Sequence, residues 1–178
     1  MTFTVINNLE DLGLLNKELL ERPFVGLDTE FRRTTKENLK LSLIQVNDSE
    51  EIYLIDCLEI GHPGDNCSFL CSAEVKKIFH SCKEDLESIY SWNEKAVLNI
   101  FDTQLANSFL NGTFSISYQS LVEEKMGVTL NKRERRTNWL RRPLSESQLK
   151  YAAADVEFLI EIFEVQKKSL LNRLKMIL

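Results

Sequence analysis

Two carboxylates two residues apart, Asp28 and Glu30, close an apolar run in FVGLDTEF. Strand residues at that spacing point to one face. Two like charges held together there either stay solvated at the strand's end or share a cation that neutralises them. Hard divalent cations such as Mg2+ or Mn2+ take oxygen donors of this kind. Late in the chain, Tyr151 and Asp155 stand four apart around Ala152, Ala153 and Ala154. They share a helix face, and the alanines let that backbone approach a neighbour closely. Alone, the same pattern suits an ordinary surface tyrosine. A third acidic point lies in HSCKED, where Glu84 and Asp85 begin a helix. The helix dipole favours either one, and spacing does not choose between them.

Other chemistries fit poorly. Only two histidines exist, His62 and His80, and there is neither a G-x-S-x-G elbow nor a G-x-x-x-x-G-K-[ST] loop. Cys67, Cys71, His80 and Cys82 lack the C-x2-C spacing of a zinc site. The net charge of −5 excludes an all-over basic coat. Locally, however, Lys132, Arg133, Arg135, Arg136, Arg141 and Arg142 face only Glu134. Such a segment steers a phosphate chain toward the stretch before Tyr151. Trp139 inside it either stacks on a base or turns into the core, and the core is the favoured reading.

The elements that must position these groups follow from pattern. A strand is expected at 3–6, then a helix capped by Asn8, then a strand with its core at Phe24 to Thr29. Residues 32–40 read as a polar loop. LSLIQV at 41–46 and EIYLID at 51–56 read as a hairpin turned by NDSE. A loop at 61–68, a short helix around 70–77 and a strand at 77–80 come next. Helices are expected at 83–91, at 102–110 capped by Asp102, and at 117–127 stopped by Gly127, with a strand at 97–101 before the second. Ser145 and Gln148 form a capping box for a last long helix over roughly 146–168. Hairpin strands followed by alternating strands and helices argue an α/β fold, a mixed β-sheet flanked by α-helices. The 178 residues suit one domain. No apolar run approaches the roughly 18 residues of a membrane helix. Four sparse cysteines fit a reducing, cytoplasmic setting.

The order LDTEF, LSLIQV, IFHSCKEDLE, FDTQLA and TNWLRRPLSESQLKYAAADVEFL resembles ribonuclease D, within the tyrosine subclass of the DEDD 3′–5′ exonucleases, from about residue 24 to about 165. The resemblance implies a ribonuclease H-like sheet over a single exonuclease domain, residues 1–178, without the C-terminal helical RNA-binding domain of many relatives. It implies Asp28, Glu30, Asp85 and Asp155 as carboxylates for two divalent cations, Mg2+ or Mn2+, with Asp85 preferred to Glu84. Tyr151 would orient the attacking water, and the reaction would be hydrolysis of the 3′-terminal phosphodiester. Substrate contacts are expected from Thr29, Phe31, Arg32, Gln45, His80, Arg136 and Trp139, with a buried structural hydrogen bond the alternative for His80. The implied partner is single-stranded RNA or short oligonucleotides, tRNA precursors among them. DNA as substrate, a non-catalytic scaffold of the same fold and a homo-oligomer stay open.

Overall fold

The computed structural model describes residues 2–35, 38–130, 134 and 137–177. Strands β1 (Thr4–Ile6), β2 (Phe24–Arg33), β3 (Leu39–Asn47), β4 (Ile52–Asp56), β5 (Lys76–Phe79) and β6 (Ile100–Asp102) form one sheet in the order β1-β4-β3-β2-β5-β6. The β2–β3 and β3–β4 pairs are antiparallel; β1–β4, β2–β5 and β5–β6 are parallel. The mixed sheet and the expected hairpin are both present. Helices α1 (Leu9–Leu20), α2 (Cys57–Ile60), α3 (Lys83–Asn93), α4 (Thr103–Asn111), α5 (Tyr118–Met126), α6 (Glu146–Ala154) and α7 (Leu159–Ile177) complete the fold.

Strand alternation sends side chains to two cores. On one face, Val25 and Leu27 of β2 pack with Leu12, Leu15 and Leu19 of α1 and Ile89 of α3. On the other, Leu43, Leu54 and Ile78 meet Leu121 and Val122 of α5, Ala152 and Ala153 of α6, and Leu159 and Phe163 of α7. Gly26 lets α7 sit directly on β2, because a Cβ there would lie 3.1 Å from the Leu159 Cβ.

Caps set most boundaries as read from the sequence. Asn8 accepts from Asp11 N, Asp102 from Gln104 N and Leu105 N, and Ser145 and Gln148 close their box. Four boundaries differ. The loop after β2 is shorter than 32–40, since β2 and β3 pair out to Arg33 and Leu39. The helix expected at 70–77 is only a 3-10 turn at Ser68–Cys71. The buried Lys77 ammonium draws the carbonyls of Phe69, Ser72 and Val75 onto itself, at 3.2, 2.5 and 2.6 Å. β6 begins only at Ile100, because Asn99 is left-handed at φ 55°.

The fourth difference matters most: the long helix is two. Between α6 and α7, the hydroxyl of Tyr118 accepts from Phe158 N, while Asn47 Nδ2 donates to the carbonyls of Val156 and Glu157. These tertiary bonds replace helical ones and leave Asp155 as the C-cap of α6.

The start of α6 is anchored from the sequence's basic segment. Arg142 forks onto Asp56 at 2.6 and 2.7 Å and also donates to carbonyls of Trp139, Arg141 and Ser42. This arginine is structural rather than free for phosphate. Removing it strands a buried carboxylate, so Arg142→Ala should lower stability by roughly 3 kcal/mol. Arg142→Lys should recover only part, because an ammonium cannot fork. Urea unfolding midpoints check both.

Candidate active site

A cleft of about 610 Å3 opens at the carboxyl end of the core strands. It is lined by Asp28, Glu30 and Phe31 of β2, by His80, Ser81 and Glu84 from the β5–α3 turn, and by Tyr151 and Asp155 of α6. Its far wall is Gln104 and residues 115–119. Asp85 approaches from α3, buried at 7% exposure, and accepts a short hydrogen bond from the Thr29 hydroxyl.

The electrostatics show convergence. Asp28 is raised well above the usual carboxylate range, first by burial, then by the charges of Asp85, Asp155 and Glu30, against one stabilising backbone N–H. Four acids from β2, α3 and α6 therefore act on one point. Asp85 is raised to about 6, mainly by burial, with Thr29 and a backbone N–H pulling it back. Asp155 stands at the negative end of α6, where the helix dipole disfavours an anion. Tyr151 is pushed above its ordinary value by burial, by Asp155 and Glu30, and by its hydrogen bond to Asp155. It therefore remains a neutral phenol.

Hard oxygen donors crowded at such cost fit divalent cations, which would relieve both the repulsion and the dipole conflict. Among the described residues, no three acids, thiols or imidazoles already converge as a coordination sphere. Asp85 is turned onto Thr29, so cation binding requires side-chain rotation.

The remaining expected contacts divide. Phe31 lines the cleft, and Arg32 lines an adjoining groove. Thr29 borders the cleft, but its hydroxyl serves Asp85 and Ser88 on the opposite face. His80 lines the cleft with both ring nitrogens engaged. Its Nε2–H donates to the Ile116 carbonyl at 3.0 Å, and Nδ1 lies 2.9 Å from the Thr103 hydroxyl. Burial lowers its pKa. Two expectations are corrected. Gln45 is fully buried directly across from Asp28 and does not reach the cleft. Trp139 is 4% exposed and packs 6.1 Å from the Tyr151 ring, so no base can stack on its face. Arg136 lies outside the described residues. Sequence reasoning missed Gln104, Tyr118 and Gln119. The helix at 117–127 was expected, but not that its start, capped by Ser117, lines the cleft.

A family model described as 3′–5′ exonuclease matches residues 3–171. The chain belongs to the 3′–5′ exonuclease family. Ribonuclease D of Escherichia coli (strain K12) is 38% identical over 162 residues, 91% of this chain and 43% of that protein. Ribonuclease D of Shewanella sp. (strain ANA-3) is 36% identical over 161 residues, 90% of this chain and 42% of that one. The chain thus spans about two fifths of the length of these curated relatives. The crystal structure of E. coli RNase D, described as an exoribonuclease involved in structured RNA processing, superposes with TM-score 0.90 at 37% identity, over 95% of this chain and 45% of that one. Brucella melitensis NrnC with bound Mg2+ shares the fold, with TM-score 0.82 at 22% identity, over 97% of this chain and 84% of that one. The ribonuclease H-like sheet expected from the motifs is the fold of this family member. No helix among the described residues is long and apolar enough to cross a membrane.

In the cation-free protein, Asp85 holds its proton up to about pH 6, against 3.8 for an ordinary aspartate. Folded protein therefore binds more protons than unfolded chain across that window, and this group's contribution falls as pH rises through it. Melting in EDTA should show wild type losing stability relative to Asp85→Asn between about pH 4 and about pH 6. A constant difference between the two proteins across the window would contradict the raised value.

Proposed function

We propose that this chain is a 3′–5′ exoribonuclease that hydrolyses the 3′-terminal phosphodiester of single-stranded RNA or short oligoribonucleotides and releases nucleoside 5′-monophosphates. The observation that carries the reading is one cleft lined by Asp28, Glu30, Tyr151 and Asp155 with Asp85 buried beside it on Thr29, within a family of 3′–5′ exonucleases. RNA rather than DNA rests on the homology to ribonuclease D. The four unpaired thiols suit a cytoplasmic protein.

Bound among these acids, a pair of divalent cations, Mg2+ or Mn2+, supplies Lewis acidity for water attack and for charge on the leaving oxygen. Asp28, Glu30, Asp85 and Asp155 would hold these ions, each carboxylate offering oxygen donors of the kind such cations take. Tyr151, kept neutral by its acidic surroundings, has a hydroxyl proton to offer and no basicity at neutral pH. It orients the attacking water and does not deprotonate it. Thr29 fixes the Asp85 carboxylate, and Phe31 borders the site where the 3′ nucleotide sits.

Labelled single-stranded RNA with Mn2+ should give a ladder shortening from the 3′ end, abolished by EDTA. Asp28→Asn should cut the rate by about a thousandfold. Tyr151→Phe should slow turnover by about tenfold to a hundredfold while leaving RNA binding nearly intact. A panel of dinucleotide, short RNA, tRNA with a 3′ extension and single-stranded DNA ranks the substrates. Binding without shortening, indifferent to EDTA, would identify a scaffold instead.

A further inference from the structure

Two grooves lead out of the carboxylate cleft. One, of about 820 Å3, passes Ser81 and Glu84 and runs along Arg33, Lys83, Glu87 and Tyr90. Its arginine is already engaged: Arg33 Nε lies 3.7 Å from Glu84, and Nη2 is ion-paired to Glu87. The second, of about 380 Å3, shares Phe31 with the cleft and continues along Arg32, Thr137, Asn138 and Trp139. Among the described residues, no carboxylate lines it.

Among the described residues, the one cation lining the second groove is unspent. Arg32 is exposed and forms no ion pair among the described residues. The β2–β3 register sets Lys40 directly across from it, likewise exposed and without an ion pair among those residues. Like charges facing across an antiparallel pair are destabilising unless an anion lies between them. Trp139, buried in the same groove's wall, has an indole N–H with no acceptor among the described residues. Phe31 packs toward the α1–α3 core, so Arg32, the next residue, returns to the face that carries Glu30. It stands two residues, roughly 7 Å, beyond that acid, a distance that one nucleotide of an unstacked strand can span.

We propose that Arg32 and Lys40 together hold the phosphate immediately 5′ to the scissile linkage, so that the single strand leaves the cleft over Phe31 along the Arg32–Trp139 groove. The assignment rests on the exonuclease reading above. A polyanion follows the exit with the more favourable balance: the Tyr90 groove sets two glutamates against Lys83 and an engaged arginine, whereas no carboxylate among the described residues lines the Arg32 groove. The same pairing gives Lys40 a role that its place at the start of β3 does not require.

The test uses a short single-stranded RNA with one neutral methylphosphonate at the linkage next to the terminal one, beside the all-phosphate strand. In Mn2+, this neutralisation should lower kcat/KM about tenfold in wild type and less than about twofold in Arg32→Ala/Lys40→Ala. An equal drop in both proteins, or indifference of the wild type, overturns the assignment. Binding of a strand whose terminal linkage resists hydrolysis is measured in parallel against salt. Losing one phosphate contact should reduce the slope of log K on log salt by about 0.7 in the double variant, and an unchanged slope also overturns it. If no strand is shortened but the slope falls, the phosphate site stands and the exonuclease reading fails. If hydrolysis proceeds without coupling between the methylphosphonate and the two cations, the phosphate site alone fails.

Discussion

Mutual repulsion among four carboxylates is the constraint around which this fold is organised. Asp28 is half-buried, and desolvation followed by the charges of Asp85, Asp155 and Glu30 pushes its proton affinity upward. Folding alone gains nothing from such a cluster, since each charge brought inward costs solvation and repels its neighbours. The protein tolerates it because the three supporting elements are held rigidly elsewhere. β2 is locked between β3 and β5, α3 is packed through Ile89 and Leu86, and α6 is pinned through Ala152 and Ala153.

Polar staples do the pinning. Asp102 caps α4 and also accepts from Ser81 N and Cys82 N, both at 3.0 Å. One carboxylate thereby ties the start of α4 to the start of α3, two residues before the turn that carries Asp85. Ser81 is left-handed at φ 63°, a conformation costly for a residue with a Cβ, and Asp102 compensates for it. Arg142 plays the matching part for α6, joining the segment before it to Asp56 at the end of β4. Both staples lie outside the cleft, yet each fixes where a catalytic-cleft acid begins.

Much of this was legible because local chemistry decides it. Asn8, Asp102 and Ser145 cap helices through bonds to backbone only two or three residues away, and NDSE turns a hairpin for the same reason. The D-x-E pair was legible as two acids sharing one face because strand geometry forces them there, and both line the cleft. Choosing Asp85 over Glu84 needed the motif as a whole, since the dipole serves both. The misread segments share one cause. The break after Asp155 exists because Tyr118 and Asn47, 40 and 109 residues away, take over hydrogen bonds that a helix would make. The 70–77 helix gives way to carbonyls collected by Lys77.

The amino-acid order by itself determined most elements, their caps and the two-faced alternation of the strands, because those depend on neighbours within a few residues. Only the tertiary structure decided which polar groups serve the cleft and which serve the scaffold. Arg142 and Arg32 look alike in the sequence, but one is spent on a buried carboxylate and the other faces Lys40 with no ion pair among the described residues. Gln45 looked like a substrate contact and is fully buried, and of the two readings open for Trp139 burial selects the core. The difference is burial and long-range charge pairing, which no local pattern encodes.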